Sequence, residues 1–111
     1  MDNLDNYRKI IQNKLKEYTE IPYAYGDLRC QLIVSDDQNN FLLITQGWEE
    51  DLHVHGCLVH LEIIQDKIWI HRDGIEDGIA NELVAAEIPK SQIVLGFHPP
   101  DVRPFTEFAV S

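Results

Sequence analysis

The chain has 111 residues and a formal net charge of -10, from 9 Lys and Arg against 19 Asp and Glu. This length predicts a single domain over residues 1–111, large enough to bury one core, and a hydrophobic fraction of 44% argues against global disorder. No apolar run approaches the roughly 20 residues of a membrane span, and the acidic start lacks the features of a signal peptide, so we expect a cytoplasmic protein without membrane contact.

Residues 3–18 are predicted to form an amphipathic helix. Asn3 can cap its first turn, and Pro22 and Gly26 mark the exit. Its apolar side chains recur at helical spacing and form one stripe, made by Leu4, Tyr7, Ile11, Leu15 and Tyr18. Its basic residues are scattered around the polar side, which is typical of a solvated face, and a nucleic-acid-binding stripe is the alternative.

Four β-strands with short connections are predicted next, at residues 28–34, 41–45, 54–64 and 67–72. We expect Gly47 and Trp48 to end the second strand, and residues 49–51 to form an exposed acidic loop. The third strand alternates, and its apolar face is predicted to hold Cys57, Val59, Leu61 and Ile63. Consecutive strands joined by short turns favour an antiparallel meander.

A second helix is predicted over residues 76–87, with Pro89 ending it and Asp73 and Glu76 forming a capping box at its start. Residues 93–95 can add a short edge strand, and the proline-rich chain from Gly96 is expected to be extended and irregular. The predicted fold class is α+β: a two-layer sandwich in which a mainly antiparallel sheet of four to five strands packs against the N-terminal helix and a second helix after the strands.

The histidines and cysteines raise the question of a metal site. His53, His55 and Cys57 are spaced by two, so a strand would place them on one face, with His60 and His71 in adjacent strands. This spacing does not match a structural zinc site, and we favour exposed or hydrogen-bonded strand histidines. Both cysteines of the chain are expected to be buried, reduced thiols.

Carboxylates cluster around the start of the second helix, at Asp73, Glu76, Asp77 and Glu82. Such a group can perform acid–base chemistry or hold Mg²⁺, but acids are also expected at a helix start for capping and dipole reasons, which is the interpretation we favour. No nucleophile elbow or phosphate-binding loop is present in the sequence. We therefore expect no catalytic residue, no metal and no cofactor.

The last segment is unusual for residues that only pack, because a histidine stands between an aromatic residue and two prolines. A rigid, preformed segment of this kind can dock a partner or a second copy of the chain. The candidate partner-contact surface comprises Phe97, His98, Pro99, Pro100, Arg103, Phe105 and Glu107.

The chain resembles the XisI family, the cyanobacterial controlling factors of fdxN-element excision. The resemblance rests on Tyr7-Arg8-x-Ile10-Ile11, Tyr23-x-Tyr25-Gly26, Gly47-Trp48, residues 54–61, Lys67-Ile68-Trp69-Ile70 and a long signature from Gly78 to Val110. It implies a role in programmed excision of a DNA element, together with a partner called XisH, while a separate recombinase exchanges the strands. It implies no catalytic residue. His53 stands where the family often has Arg, and Ile75 where a Thr commonly precedes the helix.

Three functional hypotheses follow. The first is a non-enzymatic regulatory protein that binds an XisH-like partner, since an acidic chain complements a basic, DNA-handling protein. The second is a metal- or carboxylate-dependent enzyme, in which His55 and Asp73 would be the residues to examine. The third is a DNA-binding module that uses Arg8, Lys9 and Lys16, although the negative charge makes direct nucleic-acid contact by this chain alone unfavourable. We also expect a homo-oligomer, because an exposed sheet edge and an aromatic tail favour pairing.

Overall fold

A computed structural model describes residues 3–20 and 27–111. Two α-helices, five strands and two short 3₁₀ helices follow one another along the chain: α1 (Asn3–Thr19), β1 (Asp27–Val34), β2 (Asn40–Glu49), β3 (Leu52–Ile64), β4 (Lys67–Asp73), α2 (Ile79–Ala85), a 3₁₀ turn (Lys90–Gln92), β5 (Ile93–Leu95) and a second 3₁₀ turn (Arg103–Phe105). The predicted helix exit at Pro22 and Gly26 lies outside the described residues.

The strands form one mixed sheet in the order β1-β2-β3-β4-β5. The first four strands pair antiparallel as a meander. The short β5 pairs parallel to β4 because the chain crosses from one end of the sheet to the other through α2. The predicted α+β class, with a mostly antiparallel sheet and a second helix after the strands, is confirmed.

The core lies between the sheet and the helices. From α1 the helical spacing of four brings Ile11 and Leu15 into full burial, and α2 contributes Ile79 and Leu83. The strands supply alternating buried side chains from the same side, namely Phe41, Leu43, Val59, Leu61, Ile68 and Ile70. Both helices therefore cover one side of the sheet, here called the helix side.

The β2–β3 hairpin is longer than predicted. The expected end of β2 at Gly47 and Trp48 is wrong, since the strand continues to Glu49 and the chain turns at Glu50 and Asp51. Gly47 has φ of 143°, a conformation that glycine adopts without strain, and it still pairs with Val54 of β3. Continued pairing with β3 thus carries the hairpin beyond the predicted loop.

A β-bulge in β3 changes the face assigned to Cys57. Leu43 pairs with Val59 but Ile44 pairs with Cys57, so Leu58 is an extra residue in β3. Val59, Leu61 and Ile63 are buried on the helix side as predicted. Cys57 instead lies beside Ile44 on the opposite side, where it is only half-buried. Its predicted place on the apolar face is wrong because one extra residue inverts the alternation.

The second helix is shorter than the predicted 76–87. At its start, the Asp73 carboxylate accepts hydrogen bonds from the backbone N–H groups of Ile75 (3.1 Å) and Ile79 (2.9 Å), which holds the preceding residues in a turn. At its end, Glu87 adopts φ of 76° and the Ile88 N–H donates to the Leu83 carbonyl at 3.1 Å. This is a Schellman ending with a non-glycine residue in the left-handed position. Pro89 therefore follows a helix that has already ended.

Candidate functional site

The C-terminal segment, residues 96–111, lies against the β4–β5 end of the sheet. The Ala109 N–H donates to the Ile93 carbonyl at 2.9 Å, and Ala109 forms a parallel bridge with Val94. The Arg103 guanidinium lies over the Trp69 ring, 5.1 Å from its centroid, and its Nε donates to the His98 carbonyl at 3.0 Å. A cation over an indole face is a favourable contact, so Arg103 fixes the middle of the segment to β4.

Four large apolar side chains of this segment are exposed to solvent. Phe97 is 45% exposed, Val102 38%, Phe105 89% and Val110 50%, whereas Phe108 packs against the core. Backbone turns hold this arrangement, with the His98 N–H donating to Leu95 and the Val102 N–H to Pro99. The segment is therefore anchored on one side and presents apolar surface on the other.

The other residues of the predicted surface lie near the two ends of the C-terminal segment. The His98 ring lies 4.5 Å from the Phe97 ring, and Pro99 and Pro100 are exposed in the turn that follows. Glu107 points to the opposite end of the segment and forms an ion pair with Lys90. The hydrogen bond and charge of Lys90 lower the pKa of the Glu107 carboxyl. All seven predicted residues lie on one continuous stretch, although Arg103 and Glu107 are engaged within the chain.

Two histidines meet on the side of the sheet opposite the helices. The rings of His60 and His71 are 4.9 Å apart, His60 Nε2 lies 3.0 Å from Asn40 Oδ1, and His71 Nε2 lies 2.9 Å from Glu62 Oε1. Burial, and then the neighbouring His71, lower the pKa of the His60 imidazole, and Glu62 opposes this. The two rings meet because His71 is an extra, bulged residue in β4. Along the ladder His60 pairs with Arg72 and Leu61 pairs with Ile70, so His71 lies between these two pairs.

The three candidate metal ligands, His53, His55 and Cys57, share one face of β3 as predicted, but their side chains do not converge on one point. The rings of His53 and His55 are 6.5 Å apart, and His53 packs against Trp48 at 4.7 Å. The Cys57 thiol donates to the Val59 carbonyl at 3.3 Å. Within residues 3–20 and 27–111, no group of three or more His, Cys, Asp or Glu side chains is arranged to hold a metal ion.

Two members of the carboxylate cluster stabilise the fold. The predicted capping box of Asp73 and Glu76 is wrong, because α2 begins at Ile79 with Gly78 as its N-cap. The Asp73 carboxylate instead accepts a hydrogen bond from the Ile79 N–H, from a position six residues before that residue. The Glu82 carboxylate accepts a hydrogen bond from the Tyr18 hydroxyl and so joins α2 to α1. Burial and this carboxylate raise the pKa of the Tyr18 hydroxyl. Glu76 and Asp77 are exposed in the turn before α2.

The basic residues of α1 are only partly available for an external ligand. Arg8 forms an ion pair with Asp5 at 2.8 Å and donates from Nη2 to Asn39 Oδ1 at 2.9 Å and from Nε to the Gln38 carbonyl at 3.2 Å. Lys14 lies 3.9 Å from Glu17. Arg8 therefore holds α1 on the β1–β2 turn, while Lys9 and Lys16 remain exposed.

Sequence reasoning missed the contacts that place the C-terminal segment. Trp69 contacts Arg103, which lies 34 residues later in the chain, and Lys90 forms an ion pair with Glu107, which lies 17 residues later. Opposite charge was the only sequence signal for the second pair, and no signal indicated the first.

Among the described residues, no helix is long and apolar enough to cross a bilayer.

Comparison with known proteins identifies relatives of the whole chain. The model of the XisI protein family matches residues 1–110. A XisI-like protein from Anabaena variabilis superposes with a TM-score of 0.88 at 28% sequence identity, covering 97% of this chain and 99% of that one. The fdxN element excision controlling factor XisI from the same organism superposes with a TM-score of 0.82 at 33% identity, covering 99% of this chain and all of that one. No curated protein sequence matches.

Proposed function

The chain belongs to the XisI family, and from that membership we propose that it is a non-enzymatic controlling factor for the excision of a DNA element. The crystal structure at 33% identity is that of an fdxN element excision controlling factor. In this proposal the chain acts by binding an XisH-like protein in the cytoplasm, and it contacts no DNA itself.

The observation that carries the proposal is the exposed apolar side of the C-terminal segment. Phe97, Val102 and Phe105 lie within nine residues of one another, and Phe105 is 89% exposed. Large aromatic side chains dominate the binding energy of protein interfaces when they become buried. Because Arg103 and Ala109 already hold the backbone, docking would order few additional groups and would lose little conformational entropy.

Charge supports a basic partner over direct DNA contact. The chain has a net charge of -10, which attracts a basic protein and repels a phosphate backbone. The contacts of Arg8 with Asp5 and Asn39 further reduce the positive charge available on α1.

Calorimetric titration of an XisH-like protein with this chain tests the proposal. We expect a complex in the micromolar range or tighter, and we expect Phe105→Ser to weaken it by about 30-fold, corresponding to about 2 kcal/mol. Leu52→Ser is the matched control, because Leu52 is 65% exposed at the other end of the molecule. Absence of a complex with the wild-type chain, or equal losses in the two variants, would contradict the proposal.

A further inference from the structure

The side of β1, β2 and β3 that faces away from the helices forms a continuous surface. Cross-strand register places these residues of β1, β2 and β3 on this open face: Arg29, Gln31, Ile33, Leu42, Ile44, Gln46, Trp48, His53, His55, Cys57 and His60, with Asp27 opposite Trp48 at one end and Glu62 beyond His60 at the other. Within residues 3–20 and 27–111, both helices cover the other side, and the C-terminal segment lies against β4 and β5. Ile33 and Trp48 are consequently 48% and 53% exposed.

The charge distribution indicates which molecule can cover this face. The chain holds 19 acidic residues, and the register places two of them at the ends of this face, Asp27 opposite Trp48 and Glu62 beyond His60. Between these ends the face holds one cation, Arg29, among aliphatic, amide, imidazole and thiol side chains. Interface centres are depleted of charge and enriched in aromatic residues. A basic partner would instead be attracted to carboxylates, such as those of the hairpin turn. Two copies that each carry -10 repel each other least when they approach through a surface whose centre holds no carboxylate.

The open face is also self-complementary. Trp48 lies at one end of β2, and the aliphatic pair Leu42 and Ile33 lies at the other, roughly 20 Å away at about 3.4 Å per residue. A two-fold axis near the centre of the face would bring each Trp48 onto the aliphatic pair of the other copy, as an isologous interface requires. We propose that this open face is a homodimer interface and that its occupant is a second copy of the chain.

Light scattering coupled to size exclusion tests this inference on the chain alone. We expect the wild-type protein to have twice the 12.8 kDa chain mass. Ile33→Glu and Trp48→Glu should each produce monomers, because they place two carboxylates in the contact. Leu52→Glu and Phe105→Glu, which alter exposed apolar residues elsewhere, should remain dimeric. A wild-type monomer at the highest soluble concentration, or a dimer that persists in both face variants, would overturn the inference.

Trp48 also provides a measurement that leaves the open face unaltered. In a Trp69→Phe chain, acrylamide quenching of Trp48 should weaken as the protein concentration rises, since dimerisation buries the indole. Quenching that does not depend on concentration while the mass doubles would show that the copies meet elsewhere, and would overturn the inference. The result is separate from partner binding, which Phe105→Ser should weaken without changing the mass of the protein.

Discussion

Substituting Gly74 by alanine should destabilise the protein because of one backbone contact. Gly74 follows β4, where its N–H donates to the Leu58 carbonyl at 2.8 Å. A Cβ at this position would lie 2.8 Å from that oxygen and 2.7 Å from Leu58 Cδ1. The leucine side chain can rotate away, but the carbonyl belongs to the bulged residue of β3 and can move only if the bulge shifts. Overpacking of this kind costs about 1–3 kcal/mol.

Gly56→Ala, in the strand β3 that also contains Leu58, is the matched control. A Cβ on Gly56 meets no heavy atom within 4 Å, so alanine should be neutral or should stabilise by about 0.4–1 kcal/mol through the unfolded chain. The free energies of unfolding of the two variants should therefore differ by about 1–4 kcal/mol.

Urea denaturation at one fixed protein concentration measures this difference. With a slope of about 1–3 kcal/mol per molar urea, the two midpoints should be separated by about 1 M. Equal concentration matters because dimer formation would raise the stability of all variants. Superimposable curves for Gly74→Ala and Gly56→Ala would refute the assigned contact with the Leu58 carbonyl.

Three further predictions concern the ends of α2 and the histidine pair. Asp73→Ala should cost about 1–2 kcal/mol because two backbone N–H groups lose their acceptor, whereas Asp77→Ala should change the urea midpoint little. Glu87→Gly should raise the free energy of unfolding by about 0.5–1 kcal/mol, since glycine adopts φ of 76° without strain; Glu87→Ala retains the Cβ, and stabilisation by it would contradict this reason. The lowered pKa of His60 means that the folded state binds fewer protons than the unfolded state near pH 6, so its contribution to stability is present above the unfolded pKa of about 6.5 and is lost as pH falls. His60→Gln should therefore flatten the fall in thermal stability between about pH 7 and pH 5, and an unchanged slope would exclude His60 as its source.

Much of the fold could be predicted from periodicity. Ile11 and Leu15 repeat at the helical spacing, and Val59, Leu61 and Ile63 at the strand spacing, and all five are buried as expected. These predictions succeeded because a side chain's face depends only on its position within its own element. The prediction for Cys57 failed because the bulge at Leu58 depends on pairing with a different strand.

The limits of α2 could not be predicted for a related reason. The pattern of Ile79 and Leu83 indicated a helix, but its ends depend on hydrogen bonds that compete with further helical turns. Asp73 binds the N–H of Ile79 from six residues away, and Glu87 closes the other end in a left-handed conformation. The sequence predicted a capping box of Asp73 with Glu76, but it did not indicate that Asp73 would bind the Ile79 N–H or that Glu87 would end the helix.

For the candidate site too, the sequence predicted one part and left another part undetermined. Its residues, from Phe97 to Glu107, could be identified from an unusual local composition, and their role as a partner-contact surface stays a prediction. Which of them face outward could not be identified from sequence. That depends on Trp69 and Lys90, which hold Arg103 and Glu107 and leave Phe105 exposed.

By itself, the sequence determined the family, the α+β class and the apolar side chains of the core, because these depend on composition and on spacing within single elements. Only the tertiary structure decided which surfaces remain available for binding. The open face exists because strand register aligns Ile33, Leu42 and Trp48 from two strands on the side that the helices leave uncovered. Such an alignment arises from pairing between residues distant in the chain, and local pattern carries no information about it.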